Sequence, residues 1–124
     1  MITGRGRVRH LVLRTRQTGR VIVLRVRWKV RAEHAEHFLD LIEGFSAACR
    51  AESGCRWFEW TRDPRHPRRF ELLEAYQGVA GLAGHVRCGH FAEAWRLHRR
   101  YAGGLPFVRP GRLPGTDGLG RVRR

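Results

Sequence analysis

The sequence predicts an α+β domain of the split β-α-β-β-α-β, ferredoxin-like kind, with an antiparallel sheet. Three observations predict it. Apolar and basic residues alternate from Leu24 to Arg31, one apolar stripe runs along Ala32–Glu52, and two aromatic-rich segments flank a turn with two prolines at Asp63–Pro67.

The first strand begins after Arg20. Leu24, Val26, Trp28 and Val30 alternate with Arg25, Arg27, Lys29 and Arg31, so successive side chains leave opposite faces of a strand. Over Ala32–Glu52 the period changes. Phe38, Leu41, Ile42, Phe45, Ala48 and Cys49 recur every three or four residues, which aligns them on one helix face. Ser53-Gly54 ends that helix, with Gly54 suited to the position just past the last turn. Cys55–Thr61 then reads as a second strand and Phe70–Tyr76 as a third, joined as a hairpin by an Asx-type turn at Asp63. Gly78–Arg87 forms a short helix that Gly89 interrupts. His90–Arg100 makes the next one, with Phe91, Ala94, Trp95 and Leu97–His98 toward its inner side. Gly103-Gly104 breaks the chain before a last strand at Leu105–Arg109, and an additional short strand is conceivable at His10–Thr15, with a turn at Gln17–Arg20.

At 124 residues the chain holds one domain. Its formal net charge of +14 is unevenly spread. Val21–Val108 holds 14 bases and 10 acids, a net of +4, and the flanks carry the remaining +10. The organisation is thus an arginine-rich extension over residues 1–19, a domain over 20–109 and a Gly/Pro/Arg-rich tail over 110–124. Flanks of this composition are read as solvated and partly disordered. Lys29 is the single lysine beside 24 arginines, a bias attributed to a GC-rich genome that also makes Met1 suspect as the true start.

Nucleic-acid binding through the arginine flanks is an alternative reading. It is disfavoured because they lack aromatic residues for base stacking and no recognition helix is evident. Cys49, Cys55 and Cys88 are odd in number and form no CxxC pair, which argues against a disulfide framework and a zinc site. The longest apolar run, Val21–Leu24, is too short to span a membrane, and no signal-peptide pattern is present. The expectation is a soluble cytoplasmic protein.

Glu52-Ser53-Gly54-Cys55, Arg62-Asp63-Pro64, Arg69-Phe70-Glu71-Leu72-Leu73-Glu74-Ala75-Tyr76, Gly84-His85 and His90-Phe91 follow one another in an order and spacing that resembles the antibiotic biosynthesis monooxygenase family. The likeness covers Val21 to Val108. It implies a dimeric α+β barrel, a homodimer in which two four-stranded sheets pack face to face and helices cover each sheet's other face. Leu24, Val26 and Trp28 would then line the helix side. The aromatic crowding of Trp57, Phe58 and Trp60 fits a sheet buried on both faces.

The resemblance also implies a small-molecule pocket between sheet and helices. Phe70, Leu72, Glu74 and Tyr76 would face it from one strand and Phe58 and Trp60 from the next, with His85 and His90 descending from the helices. His85 is the candidate base, since a neutral imidazole in an apolar pocket takes protons near neutral pH; otherwise it only hydrogen-bonds within the helix pair. Tyr76 either positions a phenolic substrate or fills space. Glu74 either orients His85 or pairs with an arginine. His90 with Phe91 anchors the last helix or joins the pocket. Trp57, Trp60 and Trp95 serve as core or, for the last two, as substrate walls. His34, His37, His66 and His98 show no metal-ligand grouping, and Ser46 lacks the partners of a hydrolase nucleophile.

The function so implied is a cofactor-independent monooxygenase that oxidises an anthrone, hydroquinone or polyketide phenol to a quinone with dioxygen. No Rossmann, flavin or metal motif is present. A haem-degrading relative would carry its key residues near Val26, Tyr76 and Trp95, and all three depart from that pattern. The alternatives are an isomerase or cyclase and a non-catalytic small-molecule-binding accessory protein.

Overall fold

The computed structural model describes residues 20–113. The proposed strand at His10–Thr15, its turn and most of both flanks lie outside them. Nine elements follow in order: β1 (Val21–Val30), α1 (Ala32–Ala35), α2 (Phe38–Leu41), α3 (Glu43–Arg50), β2 (Cys55–Arg62), β3 (Arg69–Gln77), α4 (Gly78–Arg87), α5 (Gly89–Tyr101) and β4 (Ala102–Pro110). The strands form one antiparallel sheet in the order β2-β3-β1-β4, the ferredoxin-like arrangement expected.

β1 lies at the centre, paired with β3 from Val21↔Gln77 to Lys29↔Arg69. Its alternation sends Leu24, Val26 and Trp28 toward the helices, as read from the sequence. The hairpin turn is closed by the Asp63 side chain, which accepts the Arg65 N–H at 2.8 Å, the Asx geometry anticipated.

Two elements differ from expectation. The helix over Ala32–Glu52 is three pieces rather than one, because the backbone leaves helical geometry at His37 (φ −114°, ψ 6°) and Ile42 (φ −104°, ψ 5°). Tightened bonds from the N–H of His34 to Arg31 and of His37 to His34 open this segment. The overwinding rotates the stripe. Ala35, Phe38, Ile42, Ser46 and Cys49 are buried, and Leu41 faces solvent. The second difference is at Gly103-Gly104, which does not end a helix–strand linker but lies inside β4. Arg27 pairs with Phe107 and Lys29 with Gly103, so β4 carries two extra residues there. Gly104 takes the positive φ (68°) that such a bulge requires.

The main core lies between sheet and helices. Trp28, Val30, Phe38, Ile42, Phe70 and Tyr101 form one cluster, and Cys49, Phe58 and Leu72 continue it toward α3. A smaller cluster on the outer face joins Val21, Val23 and Ala75 to Leu113. The chain just past β4 reaches this cluster: the Gly111 N–H bonds the Val23 carbonyl at 2.9 Å and Leu113 is only 2% exposed, while Arg112 faces solvent. One close approach positions the site. A Cβ on Gly54 would stand 2.6 Å from the Gly81 Cα, so only glycine lets α4 settle against the chain between α3 and β2. That contact brings His85, one turn after Gly81, over Glu52.

Candidate active site

A cavity of about 360 Å³ lies between the sheet and α4–α5, a volume suited to a small ligand. Phe58 and Trp60 wall it from β2, Val26 from β1, and Phe91 and Trp95 from α5. Two ionisable groups stand in this apolar lining beside His98: Glu74 from β3 and His85 from α4.

His85 is held on three sides. Its Nδ1 lies 3.0 Å from each carboxylate oxygen of Glu52. Its ring stacks on Tyr76 with centroids 4.7 Å apart and 28° between planes. Its Nε2 is 3.9 Å from Glu74 Oε1. An ionised carboxylate only accepts, so Glu52 fixes the proton of neutral His85 on Nδ1 and leaves the Nε2 lone pair on the Glu74 side. Glu52 also accepts from His90 Nδ1 at 2.7 Å. The result is a carboxylate-oriented imidazole in an apolar enclosure, the arrangement of a general base.

Glu74 is 6% exposed, and burial raises its carboxyl above the usual carboxylate range against the lowering influences of Tyr76 and His85. The Tyr76 hydroxyl donates to Glu74 Oε1 at 2.8 Å. Burial first, and then the neighbouring Glu74, push the Tyr76 phenol far above its ordinary value, so it stays a donor. At the cavity's other polar edge, Trp60 Nε1 and His98 Nε2 are buried without a hydrogen-bond partner among the described residues. Burial, aided by Arg31, lowers the His98 pKa.

The cavity therefore gathers Phe58, Trp60, Glu74, His85, Phe91 and Trp95. Tyr76 and His90 are not on its wall. Tyr76 sits behind, its hydroxyl on Glu74, because its ring fills the space beneath His85. His90 turns to Glu52 at the start of α5. Glu74 pairs with Tyr76 and faces His85 rather than an arginine. Glu52 is the residue that sequence reasoning missed. It stands past the end of α3, where an acid reads as solvated, and its histidine partners are 33 and 38 residues away.

The raised value of Glu74 has a consequence for stability. The native state holds this proton more tightly than the unfolded chain. The contribution of the neutral carboxyl is complete below pH 4.5, its ordinary value, and is lost as pH rises through the folded value. Glu74→Gln keeps a neutral acceptor for Tyr76. Its urea midpoint should therefore fall less than the wild type's as pH climbs from 4.5 toward neutrality. Equal falls in the two proteins would refute this account of Glu74.

A ferredoxin-like sheet carrying a ligand-sized cavity against its helices, with a carboxylate-held histidine in the wall, defines the class of protein. The family model described as antibiotic biosynthesis monooxygenase matches residues 21–97, and the chain belongs to that family. Solved structures share the fold. A Methanosarcina mazei protein aligns with TM-score 0.66 and 20% identity over 75% of this chain and 92% of its own. A Nitrosomonas europaea protein, described as a candidate antibiotic biosynthesis monooxygenase, aligns with TM-score 0.65 and 21% identity over 77% and 94%. A Pseudomonas aeruginosa protein aligns with TM-score 0.64 and 21% identity over 74% and 92%. A search of curated proteins returns no match to the sequence. No helix among the described residues is long and apolar enough to cross a membrane.

Proposed function

We propose that the chain is a cofactor-independent monooxygenase that oxidises an electron-rich aromatic, such as an anthrone, hydroquinone or polyketide phenol, to a quinone. The observation that carries this reading is the Glu52–His85 pair: His85 lines the apolar cavity, its Nδ1 on Glu52 and its Nε2 3.9 Å from Glu74 Oε1. Nε2 takes a proton from the substrate's acidic C–H or O–H, and the resulting anion passes an electron to dioxygen. For an anthrone, recombination places one oxygen atom on the ring carbon and the other leaves as water. The apolar walls keep the charged intermediate from bulk water, and the unpartnered Trp60 N–H is a donor for a ring oxygen. Cytoplasmic location and a homodimer complete the proposal. The second copy would cover the outer sheet face, where Arg25, Trp57, Glu71 and Leu73 border a groove of about 720 Å³.

One observation favours a second reading, an isomerase or cyclase. Glu74 stands 3.9 Å from His85 Nε2 with its carboxyl raised by burial, and an acid beside a base suits proton shuttling across a carbonyl compound. Oxygen uptake by the metal-free protein with an anthrone or a hydroquinone separates the two. Uptake above the uncatalysed rate supports the oxygenase. Its absence across several such substrates removes that reading in favour of the second.

A further inference from the structure

We propose that Glu52, His85 and Cys88 form a binding site for a thiophilic divalent cation of the zinc kind, set behind the cavity wall. Glu52 Oε2 lies 3.0 Å from His85 Nδ1 and 3.6 Å from Cys88 Sγ, and the ligand atoms of all three lie within 4.8 Å of one another. A tetrahedral zinc ion with bonds of ~2.0–2.3 Å holds its donors roughly 3.3–3.8 Å apart, so the ion enters with small adjustments. One carboxylate, one imidazole and one thiol make a mixed O, N, S set. Zinc takes such a set, whereas calcium and magnesium prefer oxygen alone.

The frame is already in place. Cys88 sits at the break between α4 and α5, its N–H bonded to the Gly84 carbonyl at 3.1 Å and its thiol to the His85 carbonyl at 3.0 Å. Cys49 and His90 meet the same Glu52 carboxylate in a second triad. The His90 side chain is 34% exposed, which gives an ion a way in from solvent. Sequence spacing conceals the site, because His85 and Cys88 stand 33 and 36 residues beyond Glu52.

Occupancy would act on the cavity. A neutral imidazole that binds metal through Nδ1 carries its proton on Nε2. The nitrogen facing Glu74 then donates instead of accepting, and the base is switched off. This regulatory consequence rests on the function proposed above. Binding itself does not.

Titration of the metal-free full chain with cobalt(II) alone tests the site. The expected result is one equivalent bound, with intense tetrahedral d–d bands and a thiolate-to-cobalt charge-transfer band that zinc abolishes. Cys88→Ala should lose the charge-transfer band and weaken zinc by more than about tenfold, with its circular dichroism unchanged. His66→Gln, altering an exposed turn histidine, should keep both. Absence of the charge-transfer band, or its persistence in Cys88→Ala, would overturn the site. A chain that binds cobalt as expected but consumes no oxygen when metal-free would sink the monooxygenase reading alone.

Discussion

Replacing His85 with alanine should lower kcat/KM for oxygen uptake by about 10²- to 10⁴-fold, the range a positioned general base contributes. Among the described residues of the cavity wall, the His85 imidazole is the one basic group held by a partly buried carboxylate: Glu52 on Nδ1, with Nε2 turned toward Glu74. Glu52→Gln separates orientation from chemistry. A glutamine side chain accepts through one atom and donates through the other, yet Glu52 now accepts from both His85 and His90. One histidine must then turn its Nδ1 lone pair to the amide N–H and move its proton to Nε2. If that histidine is His85, the base is lost although the ring remains. Glu52→Gln should therefore lose about 10- to 100-fold with KM little changed and a shifted pH–rate profile. Wild-type rates in both variants would refute His85 as the base.

Phe38→Ala should destabilise the fold by about 3–5 kcal/mol, the cost typical of deleting a buried aromatic ring. Phe38 is fully buried, and its ring lies 4.6 Å from Phe70, 5.4 Å from Trp60 and 5.9 Å from Trp28, centroid to centroid. No neighbour can fill the hole, because Trp28 and Phe70 are held in paired strands. Urea denaturation checks the value. A loss below about 1 kcal/mol would mean that the cluster collapses around the gap. Trp28 and Trp60 also wall the cavity, so the same variant should weaken ligand binding while leaving the Glu52–His85–Glu74 group in place.

The sheet was legible in the sequence because alternation is local. Leu24, Val26 and Trp28 carried the information within a few residues, and so did the Asp63 turn. The helical layer was less so. The overwound start of the helical segment depends on how Phe38 and Ile42 meet the sheet, which no residue spacing reports. Gly103-Gly104 punctuates a sequence in the same way whether it ends a strand or bulges one, and pairing with β1 decides between them. In the site, Glu74 and His85 followed from strand face and motif. Glu52 did not, since only the Gly54–Gly81 approach brings that acid beneath two histidines from distant helices.

The bulge in β4 bears on the fate of the folded chain at high concentration. β4 ends the sheet on one side, and a regular edge of free N–H and C=O groups is a template for strand-by-strand fibril growth. Here the two-residue register shift, the left-handed Gly104, and Pro106 and Pro110, which offer no N–H, interrupt that row. On the opposite edge, β2 carries Arg56 and Arg62, whose guanidinium groups bond backbone carbonyls of the adjoining turns. Both borders of the sheet thus resist aggregation.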